Sequence, residues 1–389
     1  MDRRKFIRTG TAAVAAGTIA APSLLMAATT GGSQTKPTTG SSQTKPTTGS
    51  SQTKPSTGTG QAKPTTGSSQ TQPTTGSSQT KPTTGSSQAM PTTGSSQTKP
   101  TTKEAFPSGF SSETGKAGKE DLLFRFLGTG AADWNGLDER GEQRRLSSVL
   151  VDGRILLDFT QSDADMLPKG FRKADAVFYT HSHYDHYDPK AELEHIHAKV
   201  VYVGETWLER AREDFRKASE QLGKPAPEVR GLSVGQSAVV GEITVTALPA
   251  NHATGDDNEL TLMFLVEKGP VRVLYATDTG GIPARAARIA GIDAHIPEGR
   301  PITGLVMEAT MGIDFDEDFR IFTHSSVGTV LRTSDVLLST GRLKAPKGQP
   351  VYLTHMARTL HGTQAELDAQ LPSPLRAAFD GLEAIFRID

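Results

Sequence analysis

The chain has 389 residues, enough for two domains, and it contains no cysteine, which excludes disulfides and thiolate metal ligands. Its formal net charge of −1 conceals an uneven distribution: residues 1–103 carry eleven Lys and Arg and one acid, so subtraction from the totals of 42 and 43 leaves 31 basic and 42 acidic groups in residues 104–389. A body with a net charge near −11 argues against a nucleic-acid-binding surface.

The N-terminus has the pattern of an export signal. Arg3 and Arg4 precede a weakly apolar, alanine-rich run over residues 11–28, and paired arginines are typical of the twin-arginine type. Glycine and proline dilute the apolar run, which argues against a transmembrane anchor. We therefore expect residues 1–28 to direct export to the periplasm or the cell exterior. A membrane-tethered form is the alternative if the signal is retained.

Residues 32–103 repeat the unit Ser-Ser-Gln-Thr-Lys-Pro-Thr-Thr-Gly eight times with small variations. No unit has an apolar face that could stack on its neighbours, so a solenoid is not expected. With almost nothing to bury, such a segment cannot offset its chain entropy. We expect residues 29–119 to form a disordered linker that acts as a spacer or stalk. Glycosylation or contact with the cell wall is the alternative function.

The folded body is predicted over residues 120–389, where short apolar runs alternate with charged, helix-like segments. The predicted strands are 122–127, 147–151, 154–158, 176–179, 199–203, short pieces of 236–248 and 260–276, 304–308 and 350–354. The predicted helices are 206–222, 283–290, 326–333 and 362–370. This order predicts two sheets flanked by helices.

A nine-residue polar stretch follows the predicted strand 176–179. Its sequence is Thr180-His181-Ser182-His183-Tyr184-Asp185-His186-Tyr187-Asp188. Side chains at i and i+2 of an extended segment point the same way, so His181, His183 and Asp185 converge on one point. A local turn would aim His186 at a second point beside it. Because imidazoles and carboxylates suit zinc, the stretch predicts a metal site.

Three further candidate ligands each follow a strand-like run, namely His252, Asp278 and His355. In this order, the His-x-His-x-Asp-His motif followed by His, Asp and His resembles the metallo-β-lactamase fold superfamily over about residues 120–389. The resemblance implies an α+β fold, a four-layer αββα sandwich with a two-metal site between its sheets.

The resemblance also implies which residues would hold two divalent metal ions. Zinc is the expected metal, and manganese and iron are alternatives because the same nitrogen and oxygen ligands accept them. The implied ligands are His181, His183 and His252 for the first metal, Asp185, His186 and His355 for the second, and Asp278 as the bridge.

Two more segments, Met307-Glu308-Ala309-Thr310 and Thr323-His324-Ser325-Ser326, resemble the Glu and His elements of the tRNA 3′-end endonuclease and of related cyclic-phosphate phosphodiesterases. The resemblance implies that Glu308 orients His324, which would contact or protonate the phosphate. A carboxylate fixes the tautomer of an imidazole and raises its pKa, which favours donation to a leaving oxygen. The alternative is an N-capping serine pair with a nearby histidine.

The remaining candidates have weaker support. His361 is either a substrate contact or an ordinary loop histidine, and Arg144 and Arg145 are either a phosphate clamp or surface ion pairs. His195 and His197 mimic the spacing of metal ligands, but no carboxylate pattern follows them. We therefore predict that His195 and His197 lie at the surface or behind the ligands.

The sequence therefore predicts an exported metal-dependent hydrolase in which a hydroxide activated by two metals attacks a small phosphodiester or a cyclic phosphate. Asp185 would take the proton of the water and His324 would act as the acid. A small-molecule substrate is expected, because the acidic body lacks a long basic insertion that could hold RNA. The alternatives are a lactone or ester hydrolase of the same fold and a non-catalytic metal-binding or ligand-binding envelope protein. A homo-oligomer is left open.

Overall fold

The computed structural model describes residues 117–296 and 299–388. The predicted export signal and the nine-residue repeats lie outside these residues. Within them, fourteen strands form two seven-stranded sheets. None of the helices in the described residues has the length and apolar character that a membrane-spanning segment needs.

The strands are short and alternate with helices along the chain. The strands are Leu122–Gly128 (β1), Ser148–Val151 (β2), Ile155–Leu157 (β3), Ala176–Phe178 (β4), Val200–Gly204 (β5), Glu228–Leu232 (β6), Ser237–Val240 (β7), Ile243–Pro249 (β8), Leu262–Lys268 (β9), Val271–Ala276 (β10), Gly304–Glu308 (β11), Val351–Thr354 (β12), Leu375–Ala377 (β13) and Glu383–Phe386 (β14). The α-helices are Pro189–Ala191 (α1), Leu208–Leu222 (α2), Ala284–Ile289 (α3), Val327–Ser339 (α4) and Gln364–Gln370 (α5).

The two sheets share one pattern of strand directions. The first has the order β14-β1-β2-β3-β4-β5-β6 and the second has the order β13-β12-β11-β10-β9-β8-β7. In the first, the pairs from β14 to β3 are antiparallel and those from β3 to β6 are parallel. In the second, the pairs from β7 to β10 are antiparallel and those from β10 to β13 are parallel. Parallel pairs need crossover connections, and these place helices on the outer faces.

Three apolar clusters separate four layers. The largest packs the facing sides of the two sheets together and includes Phe124, Phe178, Phe264 and Tyr352. A second lies between the first sheet and α2, and a third lies between the second sheet and the helices α3 to α5. These layers confirm the predicted α+β, four-layer αββα architecture.

Helix α2 shows how the sequence specifies an outer layer. Its buried residues recur at helical spacing, while its charged side chains face solvent. The buried residues are Leu208, Ala211, Phe215 and Ala218. The helix ends at Gly223, whose φ of 62° is a left-handed conformation that glycine adopts without a steric penalty.

Several boundaries differ from the predicted ones. The predicted helix 206–222 begins as a 3₁₀ turn over Glu205–Trp207, and α4 continues to Ser339 rather than ending at 333. Strands β6, β13 and β14 were not predicted. Strand β6 contains two charged residues and a glycine at a sheet edge, and β13 has only three residues, so neither carries a clear apolar run.

A buried carboxylate lies directly behind the predicted metal loop. Glu192 opens a π-helical turn, Glu192–Ile196, that follows α1. Its Oε1 accepts a hydrogen bond of 2.6 Å from the backbone N–H of Ala198, while its buried Oε2 has no hydrogen-bond partner. Burial raises the pKa of Glu192 from 4.5 to about 7, against the lowering effect of the Ala198 hydrogen bond.

This carboxylate makes folding stability depend on pH. Between pH 4.5 and about 7 the folded protein keeps Glu192 protonated while the unfolded chain loses the proton, so stability falls as pH rises through this window and then levels off. We expect this residue to lower the free energy of unfolding by up to roughly 3 kcal/mol across the window.

Denaturant unfolding of wild type and Glu192→Gln at pH 5 and pH 7.5 measures this effect. The Glu192→Gln variant should show a smaller loss of stability over this interval, because its amide does not titrate. Glu242→Gln, at an exposed position, is the matched control and should follow the wild type. Equal pH dependence in wild type and Glu192→Gln would contradict the assignment.

Candidate metal centre

The polar side chains of the centre come from strand ends that meet at one edge of the sandwich. In the first sheet, β3 and β4 are parallel and are followed by Asp158 and by the stretch from His181 to His186. In the second, β8, β10, β11 and β12 run in the same direction, because β8 and β10 are both antiparallel to β9. Strand direction therefore delivers His252, Asp278 and His355 to the same edge.

The first group of ligand atoms is made by three histidines and Asp278, and all of these atoms lie within 4.8 Å of one another. His181 Nε2 lies 2.9 Å from His183 Nδ1 and 3.1 Å from Asp278 Oδ2. His252 Nε2 lies 3.2 Å from His183 Nδ1. The structure thus brings together the three histidines that the resemblance assigned to the first metal.

The second group contains Asp185, His186 and His355, again with Asp278. His186 Nε2 lies 3.1 Å from Asp278 Oδ2 and 3.4 Å from Asp185 Oδ2. His355 Nε2 lies 3.3 Å from Asp185 Oδ2. Asp185 therefore lies with the second group and not, as its spacing predicted, with His181 and His183. The chain is not extended here, because the backbone N–H groups of His186 and Tyr187 both donate to His183 O and form a turn. Asp278 belongs to both groups.

The chemistry of these atoms fits divalent metal ions. His186 Nε2 lies 3.1 Å from Asp278 Oδ2, and Asp278 Oδ1 lies 3.0 Å from His355 Nδ1, but neither atom makes a hydrogen bond of acceptable geometry. An unsatisfied polar atom is costly in a dry site unless a cation satisfies it. Burial lowers the pKa of His181 to about 3, so its imidazole is neutral, the form that binds metals. Burial would raise the pKa of Asp278, but His355 and His186 hold it well below its usual range. An all-nitrogen-and-oxygen set suits zinc, manganese or iron.

Asp158 supports the second group from behind and was not predicted as a site residue. Its Oδ2 accepts a hydrogen bond of 2.8 Å from His186 Nδ1, and its Oδ1 accepts one of 2.8 Å from the backbone N–H of Thr180. This bond leaves Nε2 of His186 as the nitrogen that faces the ligand group. The position of Asp158 directly after β3 matches the strand-end pattern that identified Asp278.

Glu259 anchors the other side of the metal loop. It accepts hydrogen bonds from the backbone N–H of Ser182 at 2.8 Å and from its hydroxyl at 2.7 Å, and it forms an ion pair with Arg210. Asp188, the last residue of the nine-residue stretch, caps helix α1 by accepting from the N–H groups of Lys190 and Ala191. Both ends of the loop are therefore fixed before any ligand binds.

Three site residues have left-handed backbone conformations. The φ angles are 57° at Asp158, 45° at Asp278 and 53° at His355. Each residue follows a strand directly or within two positions, so the change of backbone direction turns its side chain across the sheet edge. Aspartate tolerates this conformation better than most residues, and such strain concentrates at functional sites.

His324 and Glu308 lie next to the second group. His324 Nδ1 is 3.1 Å from Glu308 Oε1, and the backbone N–H of Thr279 donates to the same oxygen at 2.6 Å. Burial would lower the pKa of His324, but the Glu308 carboxylate raises it overall through charge and hydrogen bonding. Thr310 joins this pair to the ligands, because its Oγ1 lies 2.8 Å from His355 Nδ1 and 3.2 Å from His324 Nδ1.

The weaker candidates have structural partners. His361 is buried and its Nε2 donates to Ala309 O at 2.6 Å, so it supports the segment after β11. Arg144 is buried and donates to Thr129 Oγ1 and Ala378 O, and Arg145 forms an ion pair with Asp165. These contacts favour structural roles over a phosphate clamp.

The histidine pair that mimics a metal motif lies apart from the ligand groups. His195 Nε2 lies 3.0 Å from Gln161 Oε1. His197, with a φ of 50°, ends the π-helical turn in a left-handed conformation. Neither residue belongs to a ligand group, in agreement with their spacing being coincidental.

Comparison with known proteins gives three kinds of match. A family model described as a beta-lactamase superfamily domain matches residues 150–312. The mitochondrial ribonuclease Z of Drosophila melanogaster is 25% identical over 235 residues, which are 53% of this chain and 29% of that protein. The chain therefore spans less than a third of the length of this curated relative. The match agrees with the predicted resemblance to the tRNA 3′-end endonuclease branch.

Solved structures with similar coordinates have low sequence identity. The short form of human tRNase Z is 16% identical, with a TM-score of 0.49, and the match covers 69% of this chain and 99% of that one. The metallo-beta-lactamase fold protein YhfI from Bacillus subtilis is 17% identical, with a TM-score of 0.48, and the match covers 69% of this chain and all of that one.

Replacing Asp158 by asparagine should weaken metal binding. Asparagine keeps the size of the side chain but removes the charge that orients His186, and loss of such a partner typically lowers metal affinity by about 10- to 100-fold. Competition with a chromogenic chelator measures the affinity of each bound zinc ion. We expect the weaker-bound ion of the variant to be lost at lower chelator concentrations than in the wild type.

The exposed Asp257 offers a matched control, since Asp257→Asn removes the same charge away from the ligand groups. Its zinc affinity should equal that of the wild type. An Asp158→Asn variant with wild-type affinity at both sites would show that the carboxylate does not hold His186 for the metal.

Proposed function

Because the chain belongs to the metallo-β-lactamase superfamily, we propose that it is a metal-dependent hydrolase of a small phosphodiester or cyclic phosphate. The observation that carries the proposal is the His324–Glu308 pair, which lies beside the second ligand group and shares Thr310 with it. The similarity to ribonuclease Z supports the phosphodiesterase reading over a lactone or ester hydrolase.

The two ligand groups would hold the metal ions, and one of their residues has an additional proposed role. Divalent metal ions held by such groups supply Lewis acidity and make a bound water acidic enough to react at neutral pH. His181, His183 and His252 form one side of the site, and Asp185, His186 and His355 form the other, with Asp278 between them. We assign Asp185 the additional role of accepting a proton from the attacking water, since its carboxylate is held at the second group by His355 and His186.

His324 is the proposed proton donor to the leaving oxygen. Because its Nδ1 bonds to Glu308, its Nε2 is the ring nitrogen left for a substrate. The side chain is 17% exposed, so it lies at the boundary between the ligand groups and solvent. Glu308 is itself fixed by Thr279 and Thr310, which hold the carboxylate in one orientation toward the ring.

A small substrate is proposed on electrostatic grounds. The net charge near −11 over residues 104–389 would repel a long polyanion such as RNA, whereas a single phosphodiester needs only the local positive charge of the centre. The same set of metal ligands would also serve the hydrolysis of an ester. The class of substrate is therefore the first property to test.

Replacing His324 by alanine should abolish most turnover while leaving the metals in place. The full-length chain is loaded with zinc, its metal content is determined, and hydrolysis of uridine 2′,3′-cyclic phosphate and of bis(p-nitrophenyl) phosphate is followed. Loss of a positioned general acid typically lowers kcat by about 10²- to 10⁴-fold. We expect a loss of this size in His324→Ala for uridine 2′,3′-cyclic phosphate, whose leaving alkoxide must be protonated, and a smaller loss for bis(p-nitrophenyl) phosphate, whose leaving group needs no proton. The metal content should equal that of the wild type.

His295→Ala is the matched control, because the His295 side chain is 87% exposed and bonds only to Asp293 nearby. It should retain wild-type turnover. A His324→Ala variant with wild-type kcat would rule out the acid role. A metal-loaded wild type that hydrolyses no phosphodiester but opens a lactone would favour the ester alternative.

We also propose that the chain is exported by the twin-arginine route, as Arg3, Arg4 and the following apolar run suggest. Replacing both arginines by lysine should leave the full-length chain in the cytoplasm of a bacterial host that has this pathway. The measurement is immunoblotting of the cytoplasmic, membrane and periplasmic fractions. Lys5→Arg is the control and should be exported like the wild type, whereas export of the double variant at the wild-type level would count against the route.

A further inference from the structure

Three exposed aromatic side chains lie on segments that contain or adjoin ligand residues. They are Tyr184, Phe319 and Phe322, with exposed fractions of 69%, 80% and 77%. We call these residues the aromatic rim. Within the described residues they are the exposed large aromatic side chains, and the other exposed large apolar residues are aliphatic. Their shared position needs an explanation, because large exposed aromatic rings are unfavourable in water.

The segment that carries two of these rings is fastened to the ligand loops. Phe319–Phe322 forms a 3₁₀ turn that leads directly into His324. The carbonyl of Thr323 accepts a hydrogen bond of 3.3 Å from His252 Nδ1. At Gly280, two residues after Asp278, a Cβ atom would lie only 2.5 Å from Ile321 O, so the turn rests on glycine backbone beside the centre.

The third ring belongs to the metal loop itself. Tyr184 stands between His183 and Asp185, and its hydroxyl donates to Ala132 O at 2.7 Å. This bond fixes the ring while leaving it largely exposed. Two separate segments, each attached to metal-ligand residues, therefore carry exposed aromatic side chains.

The turn of the rim carries no unpaired charge. The single charged side chain within the turn, Arg320, is paired in a bidentate manner with Asp318. Its guanidinium lies 6.0 Å from the centroid of the Phe319 ring, and no aromatic ring of the described residues stacks on the rim. Arg320 therefore lies over one face of the Phe319 ring. The large exposed fractions of the three rings and the neutralised arginine favour a planar, uncharged group as the ligand.

We propose that the substrate carries a planar aromatic group next to the scissile phosphodiester and that the aromatic rim binds this group. The inference rests on the proposed phosphodiesterase function for the position of the phosphate. Stacking on an aromatic side chain typically strengthens binding by about 5- to 150-fold per ring. A nucleobase and a simple aryl group share this chemistry, and the experiment below separates them.

The first measurement is direct binding to the zinc-loaded full-length chain by titration calorimetry. The probes are phenyl phosphate, thymidine 5′-monophosphate and methyl phosphate, which share a phosphate and differ in the attached group. Wild type should bind at least one aromatic probe about 10-fold or more tightly than methyl phosphate. The stronger of the two aromatic probes then identifies an aryl or a nucleobase group.

The variant Phe319→Ala/Phe322→Ala should lose this preference. Because both side chains are exposed, their removal should leave the thermal unfolding midpoint close to the wild-type value, which is measured on the same sample. Val239→Ala, at an aliphatic position with an exposed fraction of 69%, is the matched control and should keep the preference. Equal preference in the double variant and the wild type would overturn the proposal, as would a wild type that binds methyl phosphate as tightly as the aromatic probes.

The second measurement compares two diesters that both release methanol, thymidine 5′-(methyl phosphate) and dimethyl phosphate, so that only the first carries an aromatic group. The wild-type ratio of their kcat/KM values should fall about 10-fold or more in the double variant. A wild type that cleaves both diesters without discrimination would overturn the rim proposal and leave the phosphodiesterase function standing. A wild type that cleaves neither would refute the phosphodiesterase function, while the binding preference would still decide whether the rim takes an aromatic group.

Discussion

The carboxylate of Asp278 lies where water does not reach it, in contact with both ligand groups. A buried charge of this kind is strongly destabilising unless opposite charges and hydrogen-bond donors surround it. His181, His186 and His355 each place a ring nitrogen within about 3.1 Å of its oxygens. These histidines come from both sheets. The buried charge of Asp278 is therefore compensated only when the two sheets are packed together.

Much of this arrangement could be predicted because it depends on local sequence. Apolar runs marked most strands, and the polar residues directly after them marked the ligand positions, since side chains at the ends of co-directional strands meet at one edge. The alternation of His181 and His183 predicted their shared ligand group, whereas Asp185 lies after the turn that begins at His183 and belongs to the second group. Helix α2 was predictable for the same reason, because its buried residues follow a helical period.

The parts that escaped prediction depend on contacts between distant segments. Asp158 reads as the last residue of a short strand, and only its bond to His186, 28 positions away, reveals its role. Glu259 reads as one acid in a polar loop until it meets Ser182, 77 positions earlier. Arg144 was predicted as a phosphate clamp or a surface ion pair, yet it is buried and donates to Thr129 Oγ1 and to the carbonyl of Ala378, 234 positions away. No local periodicity encodes such partners.

The close approach at Gly280 has a consequence for how this site could change during evolution. Backbone atoms of Ile321 and Phe322 occupy the space that a side chain at position 280 would fill. The same short segment continues to His324. A single added methyl group would displace both the turn and the proposed proton donor that follows it. Movement of the turn backbone is thereby linked to loss of acid catalysis, so a change in substrate range would have to arise through the side chains of the turn and not through its backbone position.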